Sequence, residues 1–582
     1  MEKIIQSVKN HKWAFLFAFL VGAIMVFPQI YFQYDHSQEY QGIYISGTDN
    51  ESFYLNRVAE VRDGHPSLGS PIFKEGKDNP YLQPPLGEII IAYLGRIFFL
   101  DFNNTILLTK FLFPFLGFLI VYGFVFLISK EKLTALTSST VLILANSLFS
   151  RHGLLVLLQG ESPATAFLNF FRPVQPQMNF LFFFGFLLCF WLFFEKKQWR
   201  WGIISSLILG LSFYIYLYTW SFLYVFVGLI LLIFLLKRQW SEIRRIGYVV
   251  LGSLLVTIPY FLNLYRSILH PNFSEVSPRF GLIDGRQPIL GFLVPIIFIL
   301  FVLFFPKKRQ NRYLFSLALL LTPFIVLNQQ LITNRIFETG HYHWYTNQPL
   351  AIIFFIIILF YQTGIIQERW RVLKTINILK ILAVLIIGIS LYTGITIQTA
   401  SYKEQQDGIL QDQKYAPIIK WLNAYTQKDE VVLADWILAR VIPSYTSLNV
   451  FDGTSGYYYL AASRQRMSDI IFLFHRLDGL KGEEAKNRFL EAETRVSISR
   501  GLYGEYYKEK FGDEVKIPDE ILLDLAKKYQ DSLLIPLDKF LKIHDVKYVV
   551  WDKKDYPQWQ MDQYKFLNPV YEEGNFKIYI LQ

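Results

Sequence analysis

Apolar runs of bilayer-spanning length recur through the first two thirds of this chain, and they constrain its fold more than any other feature. A helix needs about 20 predominantly apolar residues to cross the hydrocarbon core of a membrane. Of the 582 residues, 53% are hydrophobic and only 18% are charged, whereas roughly a quarter are charged in soluble domains. The sequence therefore predicts a polytopic α-helical membrane protein.

Clusters of lysine and arginine alternate with the apolar segments and predict their orientation. Such clusters mark short cytoplasmic loops, and placing all of them inside gives about eleven transmembrane helices with a cytoplasmic N-terminus. The predicted spans are 13–33, 106–129, 133–150, 179–194, 202–218, 220–236, 246–264, 288–306, 313–328, 348–365 and 377–397. The net charge of +10 is spread over these loops, so it indicates topology and not a nucleic-acid partner.

One apolar segment, 85–99, is short for a span and contains Glu88 and Arg96. We interpret it as an interfacial helix on the outer surface with its charges toward water; a tilted, short span is the alternative. Residues 34–105 then form the first external loop with its juxtamembrane helices. The N-terminal apolar segment is too long for a signal-peptide core, so it is kept as a span.

The composition changes near residue 401, where the apolar spans end. We predict a transmembrane domain over 1–400 and a soluble extracytoplasmic α/β domain over 401–582. Its strand-like stretches are "DEVVLADWILARVI", "VKYVVWD" and "NFKIYIL", and its helix-like stretches are "APIIKWLNAYT" and "DEILLDLAKKY". The single cysteine, Cys189, excludes an intrachain disulfide.

A polar cluster, "GTDNESFYLNR", follows the first span directly. The plain interpretation is a helix start near Asp49 with Thr48 as N-cap and the acids in the first turn. The functional interpretation is a carboxylate at the outer membrane surface that takes a proton from an acceptor hydroxyl. A lipid-borne phosphate leaving group would need cations and hydrogen-bond donors but no general acid.

A second stretch, "YLQPPLGEI", opens the interfacial helix. Together the two stretches resemble the GT-C superfamily of membrane glycosyltransferases, in particular the dolichyl-phosphate-mannose protein mannosyltransferases and their bacterial RgtA/B/C/D-like relatives. The resemblance covers roughly residues 10–200. It implies that Asp49 is the catalytic acid and Glu51 a second acid. Tyr54 and Arg57 of the same polar cluster are candidate substrate-binding residues. Gln83, a further candidate substrate-binding residue, stands where the family often has histidine.

Two later external loops contain further candidates. Arg172 has the planar fork that suits a phosphate clamp, although an arginine snorkelling at the interface is the alternative. The loop "NRIFETGHYHWYTNQ" contains Arg335, His341 and His343. We expect these three to meet the lipid phosphate or cover the cavity. Two histidines without a third ligand are a weak metal signal, and interfacial aromatic residues are common in any case.

The predicted function is inverting transfer of a sugar from a polyprenyl-phosphate donor to a glycan, lipid or protein acceptor, with Asp49 as general base. No cofactor is expected; an oligosaccharyltransferase with a lipid-pyrophosphate donor and a divalent cation, Mg²⁺ or Mn²⁺, is one alternative. A lipid or sugar transporter is the other, although transporters place charged groups in mid-membrane. Asn50, inside the predicted catalytic segment, begins an Asn-x-Ser site, where an attached glycan would be badly placed. We therefore expect the plasma membrane of a prokaryotic cell as the location.

Overall fold

Long apolar helices form most of the first two thirds of the chain, as the sequence predicts. The computed structural model describes residues 9–46, 50–150, 153–164, 166–281, 283–308, 310–369, 377–453, 455–504, 507, 511 and 517–582. Up to residue 412 the helices are α1 (Lys12–Asp35), α2 (Glu51–Arg62), α3 (Leu86–Ile97), α4 (Phe102–Ser129), α5 (Lys132–Leu144), α6 (Gly153–Leu158), α7 (Gln177–Lys196), α8 (Trp199–Leu211), α9 (Leu217–Leu236), α10 (Trp240–Ile268), α11 (Phe273–Val276), α12 (Leu293–Phe304), α13 (Gln310–Val326), α14 (Gln330–Thr333), α15 (Thr339–Tyr342), α16 (Gln348–Arg369) and α17 (Ile378–Asp412).

Each of the eleven predicted spans falls on one of these helices. By length and composition, eight helices of the described chain can cross a membrane. The other three segments correspond to α5, α8 and α12, which have 13, 13 and 12 residues. At 1.5 Å per residue such helices reach only about 18–20 Å, less than the roughly 30 Å of a bilayer core. The count of eleven therefore stays a prediction.

Phenylalanine-rich faces and small residues hold the helices together. α1 packs along α4, and α4 packs against α5 and α7. At Gly22 of α1 a Cβ atom would lie 2.8 Å from both the ring and the carbonyl of Phe111, so only glycine allows this approach. Such close contact is the main attraction between helices in lipid, where burial of apolar surface contributes little.

The basic turns between helices contact one another at one end of the bundle. Lys130 Nζ lies 3.1 Å from Glu195 Oε1, and Arg312 lies 3.8 Å from the same carboxylate. Lys197 Nζ lies 3.3 Å from Glu242 Oε1. The connections α4–α5, α7–α8, α9–α10 and α12–α13 therefore share one end, which we call the basic end; the opposite end is the loop end. This grouping is the one that the alternation of charged clusters predicts.

α17 continues past the last predicted span and leads into the C-terminal domain. Its helices are α18 (Ala416–Tyr425), α19 (Trp436–Tyr445), α20 (Arg464–Leu477), α21 (Gly482–Leu490), α22 (Ala492–Tyr503), α23 (Asp519–Ser532) and α24 (Leu537–Ile543). Its strands are β3 (Val431–Leu433), β4 (Asn449–Val450), β5 (Val546–Asp552), β6 (Leu567–Glu573) and β7 (Phe576–Leu581). A further pair, β1 (Ile283–Asp284) and β2 (Arg335–Ile336), joins two loops at the loop end.

The C-terminal sheet has the order β4-β3-β5-β7-β6. β3 runs parallel to β4 and β5, whereas β7 runs antiparallel to β5 and β6. The predicted strands "VKYVVWD" and "NFKIYIL" are confirmed as β5 and β7. The prediction for "DEVVLADWILARVI" is wrong in its second half, because Asp435 caps a helix there by accepting hydrogen bonds from the backbone of Ile437 and Leu438.

The first external loop differs from its prediction in two details. α2 begins at Glu51, two residues after the predicted start, and its N-cap is Asn50 in a left-handed conformation (φ 60°) instead of the predicted Thr48. α3 is a helix as expected, but the expectation that its charges face water is wrong for Glu88, which is 2% exposed. The physical reason is an ion pair with Arg57, which replaces the water that a buried carboxylate loses.

The C-terminal domain and the first external loop share one hydrophobic core. Ile45, Phe53 and Val58 of the loop pack in the same cluster as Val441 and Val450 of the domain. α19 packs directly on α2. The domain boundary that the sequence predicts near residue 401 therefore does not divide the hydrophobic core. In the folded structure, the first external loop packs with the C-terminal domain.

A cysteine-labelling experiment tests the orientation of the two ends. Leu534 in the C-terminal domain is 83% exposed, and Lys308 is exposed at the basic end. Because the native Cys189 is buried, we expect Leu534→Cys to react with a membrane-impermeant maleimide in intact cells. Lys308→Cys should react only after the cells are permeabilised. The reverse pattern would invert the predicted topology.

Candidate functional site

Connections that the sequence predicts to be external meet at the loop end of the bundle. The meeting point lies between α2, the residues before α7, the start of α9 and the segment before α16. Arg172 donates from Nη2 to the hydroxyl of Tyr345 (2.9 Å), and the Tyr216 hydroxyl lies 2.8 Å from His341 Nδ1. The rings of Tyr216 and Tyr345 also contact edge to face, with centroids 5.3 Å apart. The sequence prediction places candidates on these loops, and the structure brings some of them together.

Asp49, the predicted general base, lies outside the described residues. The residues on either side of the undescribed segment are joined, because Glu51 Oε2 accepts hydrogen bonds from the backbone N–H of Ser46 (2.9 Å) and from its hydroxyl. Ser46 and Glu51 are both buried. The two ends of the segment that contains Asp49 are thus fixed relative to each other.

Glu51 forms a buried ion pair with Lys110 of α4. The Lys110 ammonium lies 2.5 Å from Glu51 Oε1, and neither side chain is more than 2% exposed. The ring of Phe171 lies 3.7 Å from the same ammonium. Both oxygens of Glu51 therefore already have partners, one the lysine and the other Ser46. Glu51 stays a predicted second acid, but its contacts are those of a residue that anchors the loop.

Arg57 and Glu88 form the second buried pair and join α2 to α3. Arg57 Nε lies 2.5 Å from Glu88 Oε1. Arg57 Nη2 donates to the carbonyl oxygens of Gln83 (3.2 Å) and Pro84 (3.3 Å). Gln83 thus contacts the predicted site through its backbone. The contacts of Arg57 orient the Pro-Pro turn, and its role as a substrate-binding residue remains a prediction.

Arg172 is held at the centre of the loop end. Its Nε donates to the carbonyl of Gln175 (2.7 Å), and its guanidinium lies 5.4 Å from the centre of the Tyr54 ring. Burial raises the pKa of the Tyr54 hydroxyl far above its usual range, although the positive charge of Arg172 opposes the shift. Tyr54 is therefore a neutral hydroxyl beside an oriented guanidinium, a pair suited to an anionic ligand.

The three candidates of the last loop do not stay together. His341 faces Tyr216 and lies 3.4 Å from Glu338, whereas His343 is exposed and packs on Trp344. Arg335 pairs with Asp284 across the small β1–β2 ladder at 2.7 Å, with both side chains more than half exposed. The side chains of His341 and His343 therefore contact different neighbours. Within the described ranges, no cluster of three His, Cys, Asp or Glu residues could hold a metal ion.

Sequence reasoning missed the residues that support the site. Lys110 lies inside the predicted span 106–129, and an ionisable residue at such a position is by itself a signal of function. Ser444 and Tyr445 of α19 carried no comparable signal. Ser444 donates to Asn56 Oδ1 (2.5 Å), and the Tyr445 hydroxyl accepts from the backbone N–H of Tyr44 (2.8 Å). The C-terminal domain thus holds both sides of the segment around Asp49.

No family model matches this sequence, and no curated protein matches it significantly. Among solved structures, ArnT from Cupriavidus metallidurans bound to undecaprenyl phosphate aligns over 99% of this chain and 98% of its own, at 12% identity and a TM-score of 0.46. An oligosaccharyltransferase from Archaeoglobus fulgidus, tethered to an acceptor peptide, aligns over 98% of this chain and 74% of its own, at 11% identity and a TM-score of 0.43. At these TM-scores and identities, the two structures assign neither a family nor an activity to this chain.

The Glu51–Lys110 pair predicts a specific pattern of stability. Lys110→Met should destabilise the protein by roughly 3–5 kcal/mol, because it leaves a buried carboxylate without its partner. The double variant Lys110→Met/Glu51→Gln should recover a large part of this loss, since the unpaired charge is gone. Denaturant unfolding in micelles measures both free energies. Glu51→Gln alone completes the cycle. A double variant whose loss equals the sum of the two single losses would contradict the pairing.

Proposed function

We propose that this chain is a membrane glycosyltransferase that moves a sugar from a polyprenyl-phosphate donor to an acceptor hydroxyl at the extracytoplasmic face. The carrying observation is the position of Arg172. Its guanidinium lies over Tyr54 of the first external loop, and the neighbouring Phe171 covers Lys110, the partner of Glu51. Arg172, the proposed phosphate-binding cation, and Glu51 are thus linked through neighbouring side chains, and this supports the proposal.

In the proposed reaction, the acceptor oxygen attacks the anomeric carbon from the face opposite the phosphate. The bond from that carbon to the phosphate oxygen breaks, and polyprenyl phosphate leaves with both electrons. Asp49 takes the proton of the attacking hydroxyl, a contribution of about 10²–10⁴ in rate. The anomeric configuration inverts because only one displacement occurs.

The leaving phosphate gains negative charge as its bond to the sugar breaks. Arg172 supports this step, because its guanidinium is already held in place by hydrogen bonds to the Gln175 carbonyl and the Tyr345 hydroxyl. A preorganised donor needs no rearrangement when charge develops. Tyr54 lies next to Arg172 and can donate its hydroxyl hydrogen to the same anion. His341, with Tyr216, borders the cluster and is proposed to contact the sugar or its acceptor.

We extend the proposal to metal-independent chemistry, on the donors that the loop offers. An oligosaccharyltransferase-type site needs several carboxylates for its divalent cation, and here both oxygens of Glu51 have other partners. Lys110 places a positive charge close to the acid-bearing segment, and this charge would repel a divalent cation. The contacts of Lys110 also disfavour a transporter. This charged residue of the predicted span 106–129 is held in an ion pair with Glu51 and covered by the ring of Phe171, so it is not open to a passing substrate.

The primary test is a transfer assay in proteoliposomes with a panel of radiolabelled polyprenyl-phosphate sugars. Asp49→Asn should lower turnover by at least about 10²-fold. Arg172→Ala should lower kcat/KM by roughly 10- to 100-fold, the effect of removing a hydrogen bond to a charged group. Arg172→Lys should fall between, because lysine keeps the charge but loses the planar fork.

A matched control is Arg488→Ala, which removes an arginine that is 49% exposed and pairs with Glu491 in the C-terminal domain. It should leave turnover unchanged. Equal turnover of wild type and Asp49→Asn would remove Asp49 from the mechanism. Equal turnover of Arg172→Ala and wild type would reduce Arg172 to an interfacial anchor.

Chelation separates the proposal from the metal-dependent alternative. Treatment with EDTA should leave the turnover of the proteoliposomes within about twofold of the untreated value, since no step uses a Lewis acid. The measurement is the same assay with and without added Mn²⁺ or Mg²⁺. Complete loss that either cation reverses would favour the oligosaccharyltransferase-type reaction.

A further inference from the structure

A cavity of about 400 Å³ opens at the basic end, between α7, α9 and α13. It lies at the opposite end of the bundle from the candidate site, and its volume is in the range of small-molecule sites, roughly 300–1,000 Å³. Its inner wall is apolar and its mouth is polar. The wall includes Trp191, Phe194, Ile233 and Phe234, and the mouth includes Lys197 and Glu242.

The inner wall contains an unpaired hydrogen-bond donor. Trp191 is 3% exposed, and within the described residues its indole N–H has no hydrogen-bond partner. The indole packs edge to face against Phe315, with centroids 5.0 Å apart. A buried tryptophan N–H usually finds an acceptor. A ligand in this cavity would therefore gain by placing an oxygen among otherwise apolar walls.

The mouth can supply a cation without leaving a carboxylate unpaired. Glu242 lies 3.3 Å from Lys197 and 2.7 Å from Arg245. Lys197 is 71% exposed, whereas Arg245 and Glu242 are each only 16% exposed. Lys197 can therefore turn to an anion at the mouth while Arg245 keeps Glu242 neutralised. The surrounding turns are rich in lysine and arginine, which also favours a negative ligand.

The apolar wall of the cavity is partly exposed at the surface of the bundle, where Ile233 and Phe234 of α9 are half-buried. Leu232, Leu235 and Leu236 are exposed and lie on the opposite face of the same helix. Trp191 lies six positions before Lys197, which places it about 9 Å deeper along the helix axis. An occupant thus has its charge at the mouth, a buried acceptor oxygen below it, and hydrocarbon beyond.

We propose that this cavity binds an anionic glycerophospholipid, with its phosphate at Lys197 and an ester carbonyl accepting from Trp191. The acyl chain then packs against Phe194, Ile233 and Phe234. A polyprenyl phosphate shares the charged head and the hydrocarbon tail, but it has no oxygen to offer at the depth of Trp191. Phosphatidylcholine has the ester but lacks the net negative charge that the basic mouth favours.

The test uses native mass spectrometry of the full chain reconstituted in phosphatidylcholine nanodiscs that contain either phosphatidylglycerol or undecaprenyl phosphate. The wild type should retain one phosphatidylglycerol, in preference to both other lipids. Ile233→Trp fills the cavity and should lower this occupancy at least about tenfold. Trp191→Phe keeps the ring but removes the N–H, and should weaken retention about 2- to 10-fold, the effect of one hydrogen bond.

A matched control is Ile203→Trp, which adds the same ring at a position on α8 that is 59% exposed and outside the cavity. It should leave retention unchanged. If Ile233→Trp does not fold, Trp191→Phe still tests the site. Equal retention of phosphatidylcholine and phosphatidylglycerol, preferential retention of undecaprenyl phosphate, or wild-type occupancy in Trp191→Phe would each overturn the proposal.

Discussion

The buried ion pair between Glu51 and Lys110 is the interaction on which the loop end depends. Two charges removed from water must compensate each other, because either one alone would be strongly destabilising. The pair thereby fixes α2 against α4 and ties the first external loop to the bundle. Glu51 also binds Ser46, so the same carboxylate sets the geometry on both sides of the segment that contains Asp49.

A second consequence concerns the C-terminal domain. The domain shares its hydrophobic core with the first external loop, and α19 places Ser444 and Tyr445 on residues that flank the acid-bearing segment. Gln413, just after α17, binds the backbone of Gln41 and Ile43 from the same side. The loop is therefore held from below by α4 and from above by the domain. Contacts on both sides thus fix the residues that flank Asp49, the proposed general base.

Much of the fold was predictable because apolar periodicity and charge clusters are direct consequences of the bilayer. All eleven predicted spans coincide with helices, and the basic turns gather at one end. The sequence analysis did not predict which charged residues form buried ion pairs. The partner of Glu88 is Arg57, 31 residues earlier in the chain, and no local pattern distinguishes such a buried pair from two solvated charges. Similarly, the strand-like pattern around Asp435 did not predict that its carboxylate caps a helix by accepting two backbone hydrogen bonds.

The same distinction applies to the candidate site, where the sequence shows the residue types but not their contacts. Residue type and loop position sufficed to single out Arg172 and Tyr54, which the structure brings together. His343 and Arg335 had equally suggestive types, but the local backbone points them elsewhere. What distinguishes Arg172 is a chain of fixed neighbours: Gln175, which accepts from its Nε, is itself anchored by donating to the carbonyl of Ile215 (3.2 Å). In the proposed reaction, stabilisation of the leaving phosphate depends on donors that are already in place, so the contacts that fix Arg172 contribute to it together with the guanidinium itself.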